Sequence, residues 1–214
     1  MVKTMFKLED IINKVHNADC LEFMKSMPDK CVDLIITDPP YGMNFQSNHR
    51  TTKHDKIDGD DQFPLWIFDE FKRIARGGYY IFCRWDNLSM FPKPKSVLAW
   101  VKNNWSMGDL EHEHGRQWEA CAFYNMENHK FIKRIPDVIR ANRTGNTLHP
   151  TEKPVDLIAK IIAANEGDII LDPFLGSGTT AVAAKQLGRN FIGIELSEKY
   201  CKIANDRLRQ DVLI

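Results

Sequence analysis

Asp38-Pro39-Pro40-Tyr41-Gly42 directly follows the apolar run Val32–Thr37. Pro39 holds Asp38 extended, and the two prolines remove two backbone donors while keeping their carbonyls as acceptors. The result is a cluster of acceptors, the Asp38 carboxylate and the Pro39 carbonyl, beside the aromatic face of Tyr41. A planar ligand with an exocyclic amino group suits it: both amino hydrogens are accepted while the ring stacks on Tyr41. The lone pair of such a nitrogen is delocalised into its ring. Two acceptors set off the ring plane draw the nitrogen toward tetrahedral geometry, from which it can attack an electrophilic methyl group in line. Positioning and fixed dipoles would supply the rate, with no covalent enzyme intermediate. The bland alternative is a proline turn that only ends a strand.

A second run, Asp172-Pro173-Phe174-Leu175-Gly176-Ser177-Gly178-Thr179-Thr180-Ala181, falls between a strand and a helix. Small residues there let the backbone approach a ligand, and a helix N-terminus offers free N–H groups. Glu195 ends the next strand, nineteen residues after Gly176, where a carboxylate accepts both hydroxyl hydrogens of a ribose. The layout describes a nucleoside-bearing cofactor. It fits NAD as well, and glycine turns of this kind also serve helix–sheet packing alone. A phosphate-gripping P-loop is excluded by the missing Gly-Lys pair.

The elements that position these residues alternate. Val32–Thr37 is a buried parallel strand. Phe63–Arg76 has helical apolar spacing and is stopped by Gly77-Gly78, after which Tyr79–Cys83 is a strand. Val97–Val101 and Glu119–Tyr124 are strands, Pro154 opens a helix to about Asn165, and Ile169–Leu171 is a brief strand. Thr179–Leu187 is a helix ended by Gly188, Asn190–Ile194 a strand and Glu198–Arg209 a charged helix. This is an α/β sandwich around a mainly parallel sheet. Irregular segments remain at about 43–62, 105–117 and 128–150, and segments of that length are usually functional.

With 214 residues, 43% hydrophobic and 27% charged, the chain reads as one globular domain. It has no apolar run approaching a membrane span, and Met1–Asn17 lacks the apolar core of a secretory signal. Five scattered cysteines argue for a reducing cytoplasm rather than a disulfide scaffold. The 29 basic and 29 acidic residues cancel, yet between Asn128 and Thr147 five basic residues face the single acid Asp137. A local basic strip on a neutral protein can still meet a polyanion.

Asp38-Pro39-Pro40-Tyr41 followed later by Asp172-Pro173-Phe174-Leu175-Gly176-Ser177-Gly178-Thr179-Thr180 resembles the paired signatures of the amino-directed DNA methyltransferases. Catalytic motif before cofactor motif is the order of the permuted β group, and the resemblance runs from about Val15 to Arg209. It implies a Rossmann-like three-layer fold, with a mostly parallel seven-stranded sheet, one strand antiparallel, in a single domain 1–214. It implies S-adenosylmethionine as cofactor, held by Asp38 and by Asp172, Pro173, Phe174, Gly176, Ser177, Gly178 and Thr179, with Glu195 on the ribose. In His149-Pro150-Thr151-Glu152-Lys153-Pro154 it assigns Thr151 and Lys153 to the cofactor carboxylate, and in Asn17-Ala18-Asp19-Cys20 it places Asp19 and Cys20 by the adenine ring. Ala18 stands where the family usually has Gly. Family members with Asp at position 38 mostly methylate adenine N6 and those with Ser mostly cytosine N4, so adenine N6 is the expected target.

A target base inside duplex DNA has to be flipped out, at a cost of about a few kcal/mol. Lys130, Lys133, Arg134, Arg140 and Arg143 are the expected phosphate grips, against the plainer reading of a solvated face. With only about 40 to 60 residues outside the sheet, the site read in DNA is short or two copies pair to widen the grip. Glu111-His112-Glu113-His114 is read as a solvated loop and no metal is assigned. His49, Arg50 and His54 lie in the segment after Tyr41, where a loop could close over the base. Cytosine-N4 methylation, an NAD-dependent oxidoreductase and a catalytically silent DNA-binding relative stand as alternatives.

Overall fold

The computed structural model describes residues 5–42, 62–105, 111–112, 114–127, 129–144 and 152–210. Among the described residues eight strands form one sheet: β1 (Lys14–Asn17), β2 (Val32–Thr37), β3 (Ala75–Cys83), β4 (Ser96–Val101), β5 (Trp118–Asn125), β6 (Val138–Arg140), β7 (Ile169–Asp172) and β8 (Asn190–Glu195). Their spatial order is β1-β8-β7-β2-β3-β5-β4-β6. Every pairing is parallel except those of β5 with β3 and with β4, so β5 alone runs against the rest. The helices are α1 (Leu8–Ile11), α2 (Cys20–Met24), α3 (Ile67–Ile74), α4 (Val155–Ala164), α5 (Thr179–Gln186) and α6 (Glu198–Arg209).

Alternation along the strands explains the layering. Ile35 on β2 and Tyr79, Ile81 and Cys83 on β3 enter one buried cluster with Ile67, Phe71 and Ile74 of α3. Their neighbours Leu34, Ile36, Tyr80 and Phe82 enter a second with Leu157, Ile158 and Ile161 of α4 and Ala181 and Ala184 of α5. Central strands are therefore apolar on both faces, as a parallel sheet covered by helices on both sides requires.

Two sequence expectations are corrected, and one strand is added to them. The sheet has eight strands rather than seven, because Val138–Arg140, inside a segment read as irregular, adds β6 along the edge of β4. With a single buried residue, Ile139, that strand is too short for its period to register. Gly77-Gly78 do not stop a helix: α3 ends at Ile74 and both glycines lie inside β3. A Cβ on Gly77 would stand 2.4 Å from the Asp33 carbonyl oxygen and one on Gly78 2.9 Å from that of Tyr124, so the pair permits close strand approach. Finally, the polar run Lys14–Asn17 is the edge strand β1, ordered by its parallel register with β8 rather than by burial.

Strand order reverses between β7 and β2: from β7 the chain proceeds to β8 on one side, and from β2 to β3 on the other. Ligands of open α/β sheets bind outside the carboxyl ends of the strands at such a switch point. The residues waiting there are Asp172, which closes β7, and Asp38, immediately after β2.

Candidate active site

Asp38, Pro39, Pro40 and Tyr41 leave the end of β2 as a tight segment, with Pro39 buried and the other three half-buried. The Tyr41 hydroxyl lies 2.5 Å from Asp38 Oδ1 and 2.7 Å from Glu119 Oε1. Lys153 Nζ donates to Asp38 Oδ2 at 2.5 Å and meets Glu119 Oε1 at 2.8 Å. Lys102 Nζ completes the set on Glu119 Oε2 at 2.8 Å. Two carboxylates, two ammonium groups and one phenol thus share a mostly buried volume in which the formal charges cancel.

Electrostatics separate the two acids. Burial raises the Asp38 carboxyl above its ordinary value, and the Glu119 charge adds to that against the opposing pull of Lys153. Burial would raise Glu119 as well, but Lys153 and Lys102 outweigh it and hold Glu119 at about 2. Burial, then the two carboxylates, push the Tyr41 hydroxyl well above its usual range, so it remains a donor. Asp38 is accordingly the group poised to take up a proton, and Glu119 the one that stays charged.

Glu119 was missed in the sequence, where it reads only as the first residue of a strand. Ligand sites are sought at the carboxyl ends of strands, but β5 runs antiparallel, which brings its first residues to that same edge. The available signal was a lone carboxylate opening an otherwise apolar strand.

The second group of predicted residues lies around β7 and β8. Asp172 accepts from Thr37 Oγ1 at 2.8 Å, from Thr180 Oγ1 at 2.6 Å and from the Phe174 amide at 3.1 Å. Burial pushes its carboxyl up to about 6 despite these donors. Glu195 takes the Gly176 amide on Oε2 and the Ser197 amide on Oε1, each at 2.8 Å. One donor per oxygen fixes the carboxylate and leaves further lone pairs for two ligand hydroxyls. Across the β1–β8 ladder Asn17 pairs with Glu195, which sets Asp19 and Cys20 on the same rim. Asp19 caps α2 through the Glu22 amide at 2.9 Å. Burial pushes the Cys20 thiol up to about 12, an inert group. Pro173 is buried, and Phe174 joins Asp38, Asp172, Gly176 and Ser177 in lining a cleft of about 40 Å³ at the switch point.

Of the predicted cofactor residues, Lys153, Ser177 and Thr179 line this cleft and Gly178 does not. Gly178, with φ of +91°, faces Ala204 of α6: an added Cβ would come within 2.8 Å of the Ala204 side chain, so this glycine serves packing. Ser177 and Thr179 are engaged by Arg207 Nη1, which lies 3.1 Å and 3.4 Å from their hydroxyls and 3.1 Å from Glu152. Lys153, assigned to a cofactor carboxylate, lines the same cleft and is bonded there to Asp38 and Glu119. Thr151, His49, Arg50 and His54 lie outside the described residues, as does Glu113 of the His-Glu run.

The basic strip divides. Lys130 and Lys133 follow the far end of β5 and tie by backbone to Glu166 and Ala164, before the amino end of β7. Arg134 lines a cavity of about 390 Å³ with Phe131, Tyr80, Leu98 and Phe123, away from Asp38. Arg140 ends β6 level with Val101, and Arg143 N donates to Asn103 Oδ1, so these two stand at the edge that carries Glu119. β5 spans eight residues, which separates the two groups by roughly 23 Å at about 3.3 Å per residue.

A doubly wound sheet with the Glu195 carboxylate at the end of β8, and an acceptor cluster after β2, is the layout expected of an amino-directed methyltransferase. Residues 92–206 match the family described as DNA methylase, the N6/N4 methyltransferases, and the chain belongs to that family. The Asp38 motif lies ahead of the matched span. The chain is 34% identical to a putative methylase, YubD, of Escherichia coli K12 over 207 residues, covering 89% of this chain and 88% of the relative. Among solved structures, the M1.HpyAVI–SAM complex superposes with a TM-score of 0.70 at 30% identity over 91% of this chain and 98% of that one. The cytosine-N4-specific PvuII DNA methyltransferase superposes at 0.69 and 15% identity, covering 94% and 87%, and shares the fold.

The cofactor is S-adenosylmethionine, and the residues present suit it. Glu195 has capacity for vicinal hydroxyls, Asp172 offers a buried acceptor to an ammonium group, and Gly176 donates to Glu195 while lining the same cleft as Asp172.

Proposed function

We propose that this DNA methyltransferase modifies the exocyclic N6 of adenine in double-stranded DNA, with the target base flipped out of the helix. The observation that carries this reading is Asp38 itself: a carboxylate after β2, raised in proton affinity, next to an aromatic ring and at the switch point beside the cofactor residues. Bound S-adenosylmethionine supplies a methyl carbon made electrophilic by its sulfonium.

The protein's own groups do the rest. Asp38 accepts one amine hydrogen and the Pro39 carbonyl the other, which localises the nitrogen lone pair for in-line attack. Tyr41 stacks on the base. As the new N–C bond forms and the S–C bond breaks, the nitrogen acquires positive charge and sheds a proton. Asp38 takes that proton, which its raised affinity favours, and later returns it to solvent. Aspartate rather than serine at position 38 supports adenine over cytosine.

Digestion of DNA methylated in vitro, followed by chromatography of the nucleosides, tests the reading. N6-methyladenine is expected. N4-methylcytosine, or no methylated nucleoside, overturns it.

A further inference from the structure

Both donors that occupy Asp38 have a second acceptor in common. Tyr41 takes Oδ1 and Lys153 takes Oδ2, and each also reaches the same atom, Glu119 Oε1. The other oxygen of Glu119 is held by Lys102. Tyr41 has a single hydroxyl hydrogen, so it can point at Asp38 or at Glu119 but not at both. Lys153 is only 7% exposed, and an ammonium buried to that degree cannot be left without a carboxylate.

Resting on the reading of Asp38 as the acceptor of the substrate amine, we propose that Glu119 is a positioning residue that frees it. As the amine arrives, Tyr41 and Lys153 transfer their hydrogen bonds from Asp38 to Glu119, and Asp38 opens its oxygens to the substrate without orphaning a buried donor. Lys102 fixes Glu119 as the receiving acceptor. The resting site is thereby self-capped, and the exchange costs little because both acceptors belong to one cluster.

The charged and titratable groups facing Asp38 are Lys153 ahead of α4, Glu119 and Cys121 on β5, Cys83 on β3, Asp172 on β7 and Tyr41. Glu119 is the member whose negative charge raises the proton affinity of Asp38, which gives the test a readout that mere misfolding does not move. In the full chain, Glu119→Gln is expected to lower kcat about ten- to a hundred-fold, the scale of one acceptor lost to a buried charged donor, while the cofactor Kd stays within about two-fold. The acid limb of its pH–rate profile moves to lower pH, and Glu119→Asp restores most of the rate. A Glu119→Gln enzyme with wild-type kcat, or with a lowered kcat and an unmoved acid limb, overturns the proposal. Should that variant fail to bind cofactor, Lys102→Gln carries the test: a lower kcat with the limb moved to higher pH supports it, and no change in either overturns it. Asp38→Ala run in parallel separates the two readings. Methyl transfer surviving in that variant removes the function assigned to Asp38, whereas a dead Asp38→Ala beside an unaffected Glu119→Gln removes only the role of Glu119.

Discussion

A carboxylate that accepts hydrogens from a substrate amine works only while ionised. Asp38 is raised by burial, so its protonated form persists to higher pH than in an exposed aspartate. Methyl transfer is therefore expected to rise with pH across the titration of Asp38 and to level off above it, in a pH profile of kcat. Asp38→Asn keeps the shape and loses the charge; kcat is expected to fall about 10²- to 10³-fold with cofactor affinity nearly unchanged, as titration calorimetry would report. Asp172 gives a stability prediction of defined sign. Its folded value of about 6 lies above that of an unfolded aspartate, so its contribution is full at low pH and is lost as pH rises through about 6. Relative to wild type, Asp172→Asn is expected to gain on the order of 2 kcal/mol between about pH 4 and pH 7, measured by urea unfolding.

At the scale of the element, most of the site was legible because it sits on strand ends that punctuate strongly. Val32–Thr37 and Glu198–Arg209 have the same bounds in sequence and structure, β4, β5, β7 and β8 differ by one residue at one or both ends, and β3 begins four residues earlier than Tyr79. What the local pattern concealed were elements whose order comes from partners. Lys14–Asn17 and Val138–Arg140 are edge strands fixed by their ladders. The glycines of β3 imitate a helix stop, yet they are required by the carbonyls packed against them. Gly77→Ala places a carbon 2.4 Å from the Asp33 carbonyl, a contact that backbone must relieve. A loss of about 1–3 kcal/mol is expected, or a fall in Tm of a few degrees by calorimetry, with little effect on the methylated product.

At the scale of the molecule, sequence proximity is a poor guide to a shared surface. Five basic residues within fourteen positions look like one strip, but the far end of β5 carries Lys130 and Lys133 while β6 returns Arg140 to the edge that carries Glu119. DNA that delivers a base to Asp38 would meet Arg140 and Arg143. Replacing both with Gln is expected to reduce the slope of log K against log salt by about 1.8, at about 0.9 per phosphate contact. Replacing Lys130 and Lys133 instead is expected to leave the slope in place. The reverse result would put the DNA across the other edge of the sheet.

The amino-acid sequence by itself determined the α/β alternation, the two motifs and the chemistry they suit, because proline, glycine and short β-branched runs restrict the backbone locally whatever surrounds them. Only the tertiary structure decided that Glu119 joins Asp38 and that Gly178 packs against α6. Those facts follow from strand order and from the one antiparallel strand, and pairing between strands distant in the chain is set by long-range burial that no local pattern encodes.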